Sequence, residues 1–489
     1  MTLHVTNRSA NPHGISNSPA VTTGARMVYQ MLITVTNHTR ISDAPHQVVE
    51  ALRRRLTFPN LQYTENEKRG FSNWNVPEML CYLKEDHQGV VIPRGFTRQA
   101  IEICRQHGIE PKIQDNRRVL PQVEFTFTGQ LRDYQQEALQ AVLKRDHTSV
   151  SIPTGGGKTV LALGAIAERK QPALIIVHTK ELADQWISRI ETFLGIPRDE
   201  IGLIGNGKRN VGEKVTVALV QSLLKCAHEV SGHIGHLIAD ECHRIASRTY
   251  TEAVTAFDCR YTLGLSATPY RDDGLGRLIY WYIGDRVFSI DRKDLIESHD
   301  ILPAEIITRE TEFQPTADPS EQYSTMLSEL TEDPTRNMLI ASDVVKEASN
   351  GGGVCLVLSD RKAHCELLQE ALRMRGVRAA LLTGDLPNSK RKEVIAGVES
   401  NTVKVVVATS QLVGEGLDLR ALSTLFLATP IKFSGRLIQC LGRVLRPAPG
   451  KDKARVYDYV DVNVGVLLGA ARSRAWVYRG MKGETRDEA

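Results

Sequence analysis

The sequence predicts an α/β protein: two tandem doubly wound parallel-sheet domains preceded by a small α+β domain. Three observations predict this class. At 489 residues the chain exceeds what one hydrophobic core fills, and its length suggests about three domains. From about residue 127, short apolar runs alternate with amphipathic helical segments, as parallel strands buried on both faces do. The alternation breaks over a polar stretch at 313–335 and then resumes, which makes two lobes rather than one sheet.

Residues 1–25 are rich in Asn, Ser, Thr and Pro and read as a disordered tail. They lack the apolar centre of a signal peptide, and no later stretch is long and apolar enough to span a bilayer. The expectation is a cytoplasmic protein with no membrane association. Residues 26–125 form the α+β domain. "MVYQMLITVTNHTRI" alternates as a strand, "DAPHQVVEALRRRLTF" has helical spacing with Asp43 as N-cap, and "EMLCYLKEDHQGVVIPRGF" reads as a hairpin. "TRQAIEICRQHG" is a helix and "IEPKIQDNRRVL" a closing strand.

Residues 126–298 form the first lobe, with strands at "TSVSI", "ALIIVHT", "VTVALV", "HLIAD" and "DCRYTLGLSAT". Residues 299–476 form the second, opening with a linker near 313–335 and continuing with strands at "GVCLVLS", "AALLTG", "VKVVVATS", "STLFLATP" and "ARVYDYV". Residues 477–489 read as a charged tail.

Lys plus Arg number 61 against 57 Asp plus Glu, a net charge of +4 that permits a nucleic-acid groove without demanding one. No two of the eight cysteines stand at C-x2-4-C spacing, so neither a zinc site nor an iron–sulfur cluster is expected, and reduced, buried thiols are.

The chemistry starts at "SIPTGGGKTV". A strand, a glycine turn and a helix follow in the order a phosphate-binding loop requires, although Ile152 stands where the general fingerprint asks for Gly. Gly155, Gly156 and Gly157, with Pro153 and Thr154, let backbone N–H groups face phosphate. Lys158 would reach the β- and γ-phosphates, and the Thr159 hydroxyl would hold Mg²⁺. The bland alternative is a flexible loop that ends in Lys-Thr. "HLIADECHRI" adds Asp240, placed for the Mg²⁺ shell, and Glu241, placed to activate water; a solvated acidic turn is the alternative.

"PTGGGKT", "DECH", "LSATP" and "QCLGRVLR", in that order, resemble the motif set of superfamily 2 helicases and translocases, over roughly residues 127 to 475. The resemblance implies RecA-like lobes with ATP and Mg²⁺ between them. It implies that Arg132 and Gln135 in "LRDYQQEAL" contact adenine, and that Gly416 and Asp418 in "VATSQLVGEGLDL" belong to the nucleotide site. Gln439, Arg443 and Arg446 would reach across from the second lobe to stabilise the transferring phosphoryl group, where a solvated helix face is the alternative. Ser266 and Thr268 would couple this site to a bound strand. Thr179, Lys180, Gln221, Ser222, Thr383, Gly384 and Thr409 would touch its phosphates, although the hydroxyl residues among them also suit capping.

"YRDDGLGRLIYWYIGD" after "LSATP" is similar to XPB-type repair helicases and UvsW-type phage recombination helicases. Their Arg-Glu-Asp motif would here be Arg271, Asp272 and Asp273, with Asp where the family has Glu. The expectation is a 3′–5′ DNA helicase or translocase in repair, recombination or defence, acting on single-stranded or branched duplex DNA. Arg53–Arg55 and Arg117–Arg118 in the α+β domain would bind phosphates, or else form solvated faces. No nuclease motif is evident, so cutting would need a nuclease or other pathway protein as partner. An RNA-remodelling ATPase and an ATP-gated platform without turnover are the competing readings.

Overall fold

The computed structural model describes residues 31–267, 274–350, 353–410, 421–431, 441–442, 444–445, 451 and 453–482. Three large sheets and one two-stranded ribbon organise them. The first has the order Lys84–Asp86, Gly89–Pro93, His38–Ser42, Leu32–Val35, Lys112–Asp115, with only the last pair parallel. Helices His46–Arg55 and Thr97–Gln106 cover it. The expected first strand is a hairpin, Leu32–Val35 against His38–Ser42. Asp43 is not the helix cap: it turns the chain in a left-handed conformation (φ 56°), and Pro45 occupies the N-cap position. Met79–Cys81 pairs with Thr57–Pro59 rather than joining the Lys84–Pro93 hairpin.

The second sheet runs Lys208–Asn210, Gly202–Gly205, Val215–Leu219, Ala173–Val177, His236–Ala239, Tyr261–Ser266, His147–Ser151, Asp285–Ser289. All neighbours are parallel except the first pair. The third runs Ala304–Thr311, Ala454–Asp461, Leu422–Leu427, Val354–Ser359, Val405–Thr409, Ala379–Leu382, entirely parallel. Both expected α/β lobes are therefore present, each with a fully buried central strand such as Ala173–Val177 or Val354–Ser359. In such sheets ligands bind beyond the carboxyl ends of the strands.

Two expected boundaries shift. The stretch 313–335 is not a spacer: Phe313, Ala317, Met326 and Leu330 pack with Val464 and Leu467 at the start of the helix Gly465–Lys482. That helix runs through the expected charged tail to Lys482, burying Val477 and Tyr478.

The α+β domain does not hang free. Its core is continuous with the outer layer of the first lobe, where Phe58, Tyr82 and Phe96 surround Trp281. A Cβ on Gly95 would collide with the backbone of Tyr280 and Trp281. Buried Arg94 donates to the carbonyls of Phe257 (2.7 Å) and Cys259 (3.3 Å). Among the described residues no helix is long and apolar enough to cross a membrane.

Candidate active site

The loop between the strand His147–Ser151 and the helix Lys158–Arg169 is held from three sides. Ile152 is fully buried, and its N–H donates to the Ser266 carbonyl at 3.0 Å. That explains the missing glycine: the position directly follows the strand and stays tied to its neighbour, packed rather than curled around phosphate. Gly155 and Gly157 have φ of 94° and 74°, which L side chains adopt at a cost. Behind the loop, the Gln135 amide donates to the carbonyls of Gly156 (3.1 Å) and Gly157 (3.4 Å), and the Tyr134 hydroxyl to Gly156 (2.8 Å). Gln135 Oε1 accepts from the Arg132 N–H at 2.9 Å. Gln135 thus braces the loop, and Arg132 forms an ion pair with Asp300 at 3.0 Å.

Lys158 Nζ donates to the Ile152 carbonyl at 3.0 Å, so its ammonium lies over the loop at the helix start, and Thr159 follows with a half-buried side chain. Asp240 and Glu241 stand at the carboxyl end of the strand His236–Ala239. Asp240 accepts from Trp186 Nε1 (2.8 Å) and from the Glu241 N–H (3.0 Å). Burial and the adjacent Glu241 charge raise its pKa to about 6. Burial pushes Glu241 the same way, but the His243 hydrogen bond and the Lys158 charge outweigh it and lower the carboxyl to about 2. One carboxylate is thus held ionised while its neighbour binds a proton more readily, as close acid pairs do.

The parallel register Ala239↔Gly264 sets this strand end beside the end of Tyr261–Ser266. His243 bridges them, with Nδ1 3.2 Å from Glu241 Oε2 and 3.3 Å from Ser266 Oγ. A chain of contacts therefore runs from Lys158 through Ile152, Ser266 and His243 to Glu241. The sequence reading named both ends and Ser266 but missed His243, Tyr134 and Trp186. His178, at the end of the neighbouring strand, is another omission. Its Nδ1 is buried without a partner, and burial with the Arg244 charge lowers its pKa to about 4, so the ring is neutral.

The second lobe reaches this site. A Cβ on Gly442 would overlap the side chain of Thr154. Thr154 Oγ1 is buried without a partner. That orphan hydroxyl, the lysine, the glycine cradle and the adjacent carboxylates fit a nucleoside triphosphate with Mg²⁺. Thr268, Arg271, Asp272, Asp273, Gly416, Asp418, Gln439, Arg443 and Arg446 lie outside the described residues.

The nucleic-acid candidates lie beyond strand ends in both lobes. Thr179 caps the helix Lys180–Leu194, accepting from the Leu182 N–H at 3.3 Å; Lys180 and Gln221 are exposed, and Ser222 is half-buried. Thr383 is buried and donates to Asp385 at 2.6 Å, whereas Gly384 is exposed and Thr409 half-buried. Arg391 of the second lobe lies 3.6 Å from Glu181 of the first, which brings the two sets to one side of the cleft. The arginine runs of the α+β domain behave differently. Arg117 pairs with Asp115 (2.6 Å) and Asp146 (2.8 Å), Arg118 with Asp258 (2.9 Å), and Arg53 with Glu50 and Glu85. Arg117 and Arg118 fasten the domain to the first lobe, while Arg54 and Arg55 stay exposed.

Two family models match the chain: "Type III restriction enzyme, res subunit" over residues 128–271 and "Helicase conserved C-terminal domain" over residues 324–448. The chain is 35% identical over 187 residues to the DNA 3′-5′ translocase XPB2 of Sulfurisphaera tokodaii, covering 38% of this chain and 42% of that one. It is 25% identical over 378 residues to a protein of Acanthamoeba polyphaga mimivirus named as an ATP-dependent RNA helicase, covering 72% of this chain and 68% of the relative. A solved fragment of an HsdR subunit of a type I restriction enzyme, from Vibrio vulnificus YJ016, superposes with a TM-score of 0.54 at 20% identity, covering 71% and 66% of the two chains. That likeness is one of fold.

Proposed function

We propose that this chain, which belongs to superfamily 2 of helicases and translocases and is a nucleic-acid-dependent ATPase related to XPB, drives movement along DNA or its remodelling with ATP. One observation carries the reading: the contact chain from Lys158 to Glu241 lies in the first lobe, while Gly442 of the second rests on Thr154 in the same loop. A site divided between lobes ties nucleotide occupancy to cleft closure.

Lys158 and the amides of residues 155–157 hold the phosphates. Thr159 and Asp240 would hold Mg²⁺, which neutralises phosphate charge when bound. Glu241 takes a proton from water as the water oxygen bonds to the γ-phosphorus and the bond to the bridging oxygen breaks, releasing ADP. Arg443, adjacent in sequence to Gly442, and Arg446 supply positive charge from the second lobe, with Gln439 beside them. Thr179, Lys180, Gln221 and Ser222, with Gly384 and Thr409, line the path of a strand, Thr179 doubling as a helix cap; Thr383 lies buried beneath them with its hydroxyl on Asp385. Gln135 acts through the loop it braces, and Arg132 with it.

DNA as substrate and 3′–5′ travel are favoured by the likeness to a named DNA 3′-5′ translocase, as is a role in repair, recombination or defence. RNA is the second reading, favoured by the mimivirus relative's name. The test is steady-state ATP hydrolysis with no nucleic acid, single-stranded DNA, forked DNA and RNA. Stimulation by DNA is expected. Glu241→Gln should bind ATP and lose turnover by roughly 10²–10⁴-fold. Stimulation by RNA alone would overturn the substrate, and a normal kcat in the Gln variant would overturn the role of Glu241.

A further inference from the structure

Between the strands Thr57–Pro59 and Met79–Cys81 the chain makes an excursion that includes the helix Leu61–Lys68, which buries none of its residues. Adjacent antiparallel strands need only a short turn, about two to five residues, so the length must serve something else. The excursion and the strand that follows expose Leu61, Phe71, Trp74 and Met79, the densest run of exposed large apolar side chains among the described residues. Trp74 is 90% exposed and Phe71 63%. The tip is nevertheless tied together: the Phe71 N–H donates to the Asn66 carbonyl at 2.8 Å, and Asn73 donates to the Tyr63 carbonyl at 3.1 Å.

The root is bolted to the motor lobe. Phe58 lies 5.7 Å from both Tyr82 and Trp281 between ring centroids, and the Arg277 guanidinium sits 4.3 Å over the Phe58 ring. Leu61 packs 3.4 Å from the position a Cβ on Gly274 would take. Gly274 follows Ser266, a member of the active-site contact chain, within the same connection. A prong with bare aromatic faces, tied at its root, thus stands on the lobe that carries the phosphate loop and touches it at Gly274.

Resting on the DNA-motor reading, we propose that Trp74 and Phe71 form a wedge that stacks on the first unpaired base where single strand meets duplex. Arg54 and Arg55, just before the first strand of the prong, and Lys68 and Arg69 within it are exposed, as are Glu65, Glu67 and Glu78. Stacking on a base needs a bare ring face, which Trp74 and Phe71 supply, while the cations can meet neighbouring phosphates.

The experiment compares wild type, Trp74→Ala and Trp74→Phe in two assays: ATP turnover on single-stranded DNA and strand displacement from a forked duplex. In Trp74→Ala, base pairs separated per ATP should fall by about 5- to 100-fold, the loss that one base–aromatic stack carries. Turnover on single-stranded DNA should change less than about twofold, and Phe should restore displacement because it keeps a stacking face. On a Trp476→Phe background, which leaves Trp186 and Trp281 buried and Trp74 bare, forked DNA should quench tryptophan fluorescence. Wild-type displacement by Trp74→Ala, without quenching, overturns the wedge and leaves the prong to a protein partner. No stimulation of the wild type by any DNA overturns the motor reading itself, and the wedge with it.

Discussion

Gly442→Ala tests whether closure of the two lobes sets the rate. The added methyl would stand 2.6 Å from Thr154 Cγ2 and 3.1 Å from Thr154 Oγ1, and would overlap the Thr154 Cβ. Overpacking of this size costs roughly 1–3 kcal/mol. Thr154 and Gly442 belong to different lobes, so a small opening of the cleft relieves the clash more easily than distortion within either lobe. The cost then falls on the closed, hydrolysing state and not on the fold. At about 1.4 kcal/mol per tenfold, kcat at saturating ATP and DNA should fall about 5- to 150-fold. The thermal midpoint should stay within about 1 °C, because neither core changes. Thr154→Gly removes the obstructing atoms, so a double-mutant cycle should show the Gly442→Ala effect shrinking on that background. An unchanged kcat would refute the reasoning, and so would a loss of rate matched by a fall in melting temperature.

His243→Ala should lower kcat by about tenfold or more, the worth of a hydrogen bond to a charged group, because Glu241 loses its partner; an unchanged kcat would remove His243 from the site. Asp240, with its pKa raised to about 6, binds protons in the range where Mg²⁺ would compete for it. Mg²⁺ affinity, read from Mg²⁺-dependent protection by ADP against melting, should therefore fall as pH drops through the mildly acidic range; flat affinity from pH 5 to 8 would contradict the assignment. In the metal-free protein the same raised pKa means that stability contributed by the protonated form is complete below the unfolded value near 4 and is lost as pH rises through about 6. Removing residues 1–125 should yield an insoluble or strongly destabilised protein, because Ile279 and Trp281 lose their cover at roughly 1.5–3 kcal/mol each. A soluble truncation with an unchanged melting temperature would refute the shared core.

The central strands were legible because burial on both faces leaves a run of Val, Ile and Leu, as in Ala173–Val177. Edge strands were not. Asp285–Ser289 and Ala304–Thr311 are mostly half-buried, and their charged residues hide the pattern. The segment 313–335 looked like a spacer because its four buried apolar residues are thinly spread, and only the later helix at 465–482 reveals what they cover. The loop and the acid pair could be read locally, since each motif occupies one turn. His243 could not: its tie to Ser266 spans 23 residues and depends on strand register. The same holds for Arg118, whose carboxylate partner Asp258 is 140 positions away. An arginine run read without its distant acids looks like a phosphate site.

The shared core also constrains how the motor can work. The α+β domain and the first lobe bury one continuous set of apolar residues, so any motion against the second lobe would carry them as one body. The prong at Phe71 and Trp74 is rooted in that body through Phe58, Tyr82 and Trp281. On the proposed reading, ATP-driven closure where Gly442 meets Thr154 would shift the second lobe, with Gly384 and Thr409, relative to the prong. A strand held by the second lobe would then be drawn past a wedge fixed to the first. The separating element need not move to do its work; it needs to be stiff, and the aromatic cluster at its root makes it so.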